Sequence, residues 1–218
     1  LCHGNQLRDV LLNSWEGVYM NVEEKKMDQM MADFKALGGE LFVMDDGWFG
    51  GKYQRTDTSG LGDWVADSRK LPGGIKGLLA DAKRHDIRFG IWIEPEMCNE
   101  RSELYERHPD WVINAKGRSL VGGRGGNQLV LDLANPKVQD FVFGVVDGLL
   151  TRYPQIAYIK WDANMSIVSH GSQYLSASDQ SHLYIAYHEG LRKVLERIRG
   201  LPMSTSWPWP WPTAWNLP

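Results

Sequence analysis

The chain alternates short apolar runs with longer stretches in which apolar residues recur every three or four positions. Val10 to Ser14 is a short strand candidate ending in Asn13-Ser14-Trp15-Glu16. Asn21 reads as a helix N-cap with Glu24 three residues on, and Met27, Met30, Met31, Phe34 and Leu37 then share one face. That Met-rich face suits core filling, and Gly38-Gly39 ends the helix. Leu41 to Met44 is continuously apolar, as in strands buried on both faces of a parallel sheet, and stops at Asp45-Asp46-Gly47-Trp48. A long loop rich in Gly, Asp, Ser and Thr, Phe49 to Gly74, leads into a helix over about Gly74–His85 that presents Ile75, Leu78, Leu79 and Ala82.

The same rhythm continues. Arg88 to Ile93 is a third strand, ending at Glu94-Pro95-Glu96. Ser102 to His108 reads as a short helix, Trp111 to Asn114 as extended, Gly117 to Gly126 as a Gly-rich loop carrying Arg124, and Leu129 to Leu133 as a short extra strand. Asn135-Pro136 is an N-cap followed by proline at the first helical position, opening a helix that buries Val138, Phe141, Val142, Val145, Val146 and Leu149. Ile156 to Asp162 is the fourth main strand. A last helix, about Asp179 to Arg199, buries Leu183, Tyr184, Tyr187, Leu191, Val194 and Ile198.

Four repeats of strand, loop and helix predict an α/β fold with a parallel sheet and right-handed crossovers. A doubly wound sheet and a (β/α)8 barrel both fit. No Gly-x-Gly-x-x-Gly turn follows the first strand, and acidic residues stand at the C-terminal end of every strand, which favours the barrel. Four units amount to half of one.

Composition narrows the function. The chain has 218 residues, 43% apolar and 23% charged, with a net charge of −3, so no basic surface argues for nucleic acid. No apolar run is long enough to span a bilayer. Cys2 and Cys98 form no metal or redox spacing. The ten tryptophans are the unusual number, because flat apolar rings are what pyranose faces stack on. Four of them (Trp207, Trp209, Trp211 and Trp215) alternate with proline in Met203–Pro218, a pattern that fits neither helix nor central strand. The expected organisation is half a barrel over 1–200 and an irregular tail over 201–218. Both ends read as cut, with no initiator Met or signal peptide at Leu1 and a truncated or frame-shifted tail.

On the barrel reading, Glu16, Asp45, Asp46, Glu94, Glu96 and Asp162 share one rim. Such a ring can ligate a hard metal, bind sugar hydroxyls or supply acid and base. Metal binding is the runner-up for Asp45-Asp46, since no histidine stands at a strand end. Lys160, Asp162 and Asn164 alternate along one strand and point one way, with Lys160 expected to hold Asp162 ionised as a nucleophile requires. Arg124 and Lys160 can donate to hydroxyls, and Trp15, Trp48, Trp64, Trp92 and Trp161 stand near strand ends, some as packing residues.

Five segments in order, Asn13 to Glu16, Phe42 to Gly50, Gly90 to Met97, Gln128 to Leu133 with Asn135-Pro136, and Tyr158 to Asn164, resemble glycoside hydrolase family 36, the microbial α-galactosidases. The likeness runs from about Val10 to Gly200. It implies a retaining α-galactosidase on a (β/α)8 barrel, with no cofactor or metal and a small-molecule α-galactoside as partner. The family's nucleophile falls on Asp162. Its galactose-binding aspartates fall on Asp45 and Asp46, and Arg124, Lys160 and Asn164 take further binding roles. Trp48, Trp92 and Trp161 are expected to line the pocket. The family's acid/base aspartate stretch and its N-terminal β-sandwich have no counterpart in this sequence, so this chain alone is expected to be impaired. Homo-oligomerisation of the full-length enzyme and a cytoplasmic location are further expectations. A raffinose-synthase-like galactosyl transferase and a non-catalytic galactose-binding module are the alternatives.

Overall fold

The computed structural model describes residues 7–201. The Trp- and Pro-rich stretch lies outside the described residues. The strands are β1 (Leu11–Asn13), β2 (Leu41–Met44), β3 (Arg88–Ile93), β4 (Met97–Asn99), β5 (Gln128–Val130) and β6 (Ile156–Trp161). The α-helices are α1 (Trp15–Val18), α2 (Glu24–Ala36), α3 (Gly74–Arg84), α4 (Glu103–Arg107), α5 (Pro136–Arg152) and α6 (Leu183–Arg199).

Strands β1, β2, β3 and β6 lie side by side in chain order, all parallel. A doubly wound sheet reverses its strand order part-way. Here every crossover instead adds its strand on the same side as the one before. That is the winding of a (β/α)8 barrel, and the chain carries four βα units of it. Helix α2 packs against α3, and α5 against α6.

Burial follows the apolar pattern. Phe42, Val43 and Met44 of β2 have no exposed surface, nor have Ile91 and Ile93 of β3. Each such side chain contributes roughly 1.5–3 kcal/mol by leaving water. β6 is half-buried along most of its length, because β3 is its only strand partner among the described residues. Residues that follow each strand therefore gather along one edge of the sheet: Ser14, Asp45, Glu94 and Asp162. The ladders run on into that edge, with Ser14 N–H donating to Val43 O at 3.0 Å and Asp162 N–H to Ile93 O at 2.8 Å.

Several local expectations need correction. The N-cap of α2 is Glu23, not Asn21, since the chain stays extended through Glu23 (φ −141°, ψ 138°). Tertiary partners replace the expected capping box: Glu24 N–H donates to Lys70 O, and the Glu24 carboxylate accepts from Gly73 N–H. Leu37 is exposed, because the helix has already ended. The last helix begins at Leu183 after a 3-10 turn over Gln180–His182, and Tyr184 is exposed rather than buried. The extra strand proves to be β5. It pairs antiparallel with β4, which sequence periodicity does not reveal, in the register Met97↔Val130 to Asn99↔Gln128. Asn135 caps α5 as expected, accepting from Lys137 N–H at 3.0 Å.

Candidate active site

Gly47 shapes the first part of the site. Its φ of +103° suits glycine, and a Cβ there would lie 2.7 Å from the backbone of Met20. Lys70 Nζ clamps the same turn by donating to Gly47 O and Met20 O, each at 2.8 Å. The turn holds Asp45 and Asp46 at the end of β2, almost completely buried. Buried carboxylates need partners, and these have them. Asp45 Oδ2 accepts from Asn13 Nδ2 at 2.6 Å and from Lys160 Nζ at 2.7 Å, and its Oδ1 accepts from Asp46 N–H at 2.9 Å.

Lys160 stands on β6, two strands from β2. In a flat sheet strands two apart lie nearly 10 Å from each other. Lys160 spans this distance, which places its side chain and that of Asp45 on the same face of the sheet. It also corrects an expectation: the ammonium pairs with Asp45, and Asp162 has other neighbours. Lys160 therefore reaches across the sheet to Asp45 rather than along its own strand.

Asp162 is half-buried, and three N–H donors converge on its carboxylate. Asn164 Nδ2 donates to Oδ2 at 2.6 Å, Trp92 Nε1 to Oδ2 at 3.1 Å, and Ala163 N–H to Oδ1 at 3.1 Å. Asn164 is itself anchored, its backbone N–H donating to Glu94 Oε1 at 3.1 Å. Glu94 is fully buried, and its Oε2 has no partner among the described residues. Burial pushes its carboxyl above the ordinary value against hydrogen bonding from Asn164, and the nearby charge of Asp162 adds to the rise.

The tryptophans divide. Trp92 is almost wholly buried, with its N–H on Asp162. Trp161 donates to Glu96 Oε1 at 2.8 Å, and Glu96 Oε2 accepts from Tyr187 of α6, so β6, the link between β3 and β4, and α6 are tied together. Trp48 does not sit where a sugar could stack on it. It has no exposed surface, its N–H donates to Trp92 O at 2.9 Å, and its ring meets Phe49 edge-on. Trp64 also packs in this aromatic group, with its ring 4.5 Å from Phe49. Arg124 is exposed in a 3-10 turn, Arg124–Gly126, within electrostatic reach of Glu94.

Arg55 escapes sequence reasoning. It lies in the long loop after β2, 2% exposed, and grips Asp46 with both arms of its guanidinium. Nε donates to Oδ1 at 2.9 Å and Nη2 to Oδ2 at 2.7 Å. Both aspartates of the pair thus already hold a side-chain cation, which competes with a metal for the same oxygens. A carboxylate offers about four acceptor sites. Arg55 takes two on Asp46 and leaves two for hydroxyl donors.

Comparison with known proteins decides the family. The melibiase family model matches residues 2–203. The chain belongs to the melibiase family. Alpha-galactosidase 1 of Pediococcus pentosaceus is 40% identical over 194 residues, 89% of this chain and 26% of that protein. Probable alpha-galactosidase C of Aspergillus oryzae is 45% identical over 168 residues, 73% of this chain and 22% of that one. The chain therefore spans about a quarter of the length of the curated relatives it matches. Among solved structures, the family 36 alpha-galactosidase AgaA of Geobacillus stearothermophilus superposes with a TM-score of 0.84 at 38% identity, covering 91% of this chain and 27% of that one. An AgaA variant has been crystallised with raffinose. The resemblance seen in five segments of sequence is a family relationship over nearly all of this chain.

Proposed function

We propose that this chain carries the nucleophile and the hydroxyl-binding wall of a retaining α-galactosidase acting on melibiose- and raffinose-type galactosides. The observation that carries the reading is the bridge between the two strand ends: Lys160 of β6 meets Asp45 of β2, which links the aspartate pair to the strand that carries Asp162 and leads to Asn164. In this reading Asp162 attacks the anomeric carbon and forms a covalent glycosyl-enzyme, with its carboxylate aimed by Trp92 and Asn164. Asp45, Asp46, Arg124 and Lys160 bind hydroxyls, most tightly as the ring flattens toward the transition state. Glu96 is occupied by Trp161 and Tyr187, so it is a poor proton donor. The leaving oxygen is protonated by a carboxylate from outside this set, about 5–5.5 Å from the nucleophile.

Time-resolved proton NMR tests the stereochemistry. The purified chain is given an aryl α-galactoside whose phenol is acidic enough to leave with little assistance. The α-anomer of galactose is expected first; β-galactose appearing first contradicts a double displacement.

A further inference from the structure

A chain of buried side chains joins Asp46 to the Arg124 turn. After gripping Asp46, Arg55 turns the two N–H bonds of Nη1 toward Thr56 O, Asn99 Oδ1 at 3.2 Å and Ser59 O at 3.4 Å. Asn99, in β4, has no exposed surface. Its Oδ1 also accepts from Leu61 N–H at 3.0 Å. Its Nδ2 donates to Asn127 O at 2.9 Å and to Asp57 O at 3.4 Å. Asn127 directly follows the Arg124–Gly126 turn, and its own N–H returns to Arg124 O at 3.4 Å. One buried amide therefore cross-links the loop after β2, strand β4 and the turn that carries Arg124. Arg55 and Asn99 thus form a continuous hydrogen-bonded path from Asp46 to Asn127.

The packing around the relay reinforces this path. The Arg55 guanidinium lies 5.7 Å from the centre of the Phe49 ring, and Phe49 stacks parallel to Trp92 at 6.2 Å. Trp92 in turn donates to Asp162. A guanidinium that contacts Asp46, Asn99 and Phe49 at once has few other places to go. Lysine has three donors on a single atom and cannot reproduce a two-armed grip plus a lateral bond.

We propose that Arg55 and Asn99 are positioning residues for sugar recognition, a buried relay that sets the spacing between Asp46 and the Arg124 turn. The proposal rests on the α-galactoside reading above and deepens it. A site built on directed hydrogen bonds discriminates epimers through their geometry, because the wrong epimer leaves buried polar groups unpaired. Galactose and glucose differ only in the orientation of one hydroxyl, so their affinity ratio reads the relay directly.

Calorimetry on the full chain with galactose and glucose tests it, using Arg55→Lys and Asn99→Asp. Arg55→Lys keeps the charge and breaks the fork. Asn99→Asp keeps the acceptor for Arg55 and Leu61 and removes the donor to Asn127. Folded Arg55→Lys is expected to bind galactose about tenfold more weakly with glucose affinity unchanged, and Asn99→Asp to shift the same ratio severalfold. A ratio equal to that of the parent in folded variants overturns the relay and leaves the functional reading standing. A parent chain that binds no galactose overturns the functional reading, and the relay with it. If neither variant folds, amide hydrogen exchange on the parent decides: galactose should slow exchange at Leu61 and at Gly125–Gln128 together, whereas protection confined to Asp45–Asp46 contradicts the relay.

Discussion

Asp46 at the end of β2 and Asp162 at the end of β6 are both strand-end aspartates, but they are held in opposite ways. Asp46 is 5% exposed, and a single buried guanidinium takes both of its oxygens. Asp162 is half-buried on the outermost strand, among an indole, an amide and a backbone N–H, none of them charged. A carboxylate that must only hold a hydroxyl can be built into the core by ion pairing. One that must form a bond needs orientation without a cation locked onto the attacking oxygen, and needs access. Under the proposed function, the difference matches fixed geometry on the β2 side and chemistry on the β6 side.

The largest expected effect follows from breaking the buried pair. Asp46→Asn leaves Arg55 without a counter-charge and is expected to lower stability by about 3–5 kcal/mol in chemical denaturation. Asp162→Asn keeps most of its contacts at a part-exposed site and is expected to cost no more than about 1 kcal/mol. Equal losses for the two would erase the contrast between the strand ends.

A middle-sized effect concerns what holds β6 in place. Tyr187→Phe removes the hydroxyl that donates to buried Glu96, leaving that carboxylate to Trp161 alone. The expected cost is about 1–3 kcal/mol, read as a lower melting temperature. A melting temperature equal to that of the parent would mean that β6 is held by apolar packing only.

A pH dependence sharpens the β6 side further. Glu94 is held above its ordinary value by burial, so the folded chain binds its proton more tightly than the unfolded chain does. Stability therefore falls as pH rises from the ordinary carboxylate range through the raised value. Denaturation midpoints of Glu94→Gln should decline less than those of the parent over that window. Parallel curves would show that Glu94 titrates no differently when folded. At the small end, Lys26→Ala removes a pair with Glu23 in which both side chains are about half exposed, and should change stability by no more than about 0.5 kcal/mol. A larger loss there would mean that exposed pairs rival the buried one.

How much of this is legible in sequence depends on whether the signal is local. β2 and β3 are legible because an apolar run bounded by carboxylates has few other readings. The rim carboxylates follow from those strands, and the winding follows from four repeats in order. β4 is illegible, since three residues show no periodicity and Met97-Cys98-Asn99 is a strand only through its pairing with β5. The partner of Lys160 is a tertiary fact: Asp45 lies 115 residues away in sequence and meets it only across the folded sheet. Trp48 is a strand-end tryptophan in sequence and a core residue in space, because the loop after β2 folds back over it. Arg55 stands nine residues beyond Asp46, and nothing nearby marks it. The usable signal was energetic: two aspartates after four buried residues demand cations, and the following loop supplies Lys52, Arg55, Arg69 and Lys70 as candidates.

The central claim is that Asp162 reacts while the β2 side binds. It is tested by phenol release from an aryl α-galactoside with a strongly acidic phenol, comparing the parent chain with Asp162→Asn. The account predicts measurable release by the parent and none by the variant, with both chains folded and both binding galactose. Release that persists undiminished in Asp162→Asn would contradict it.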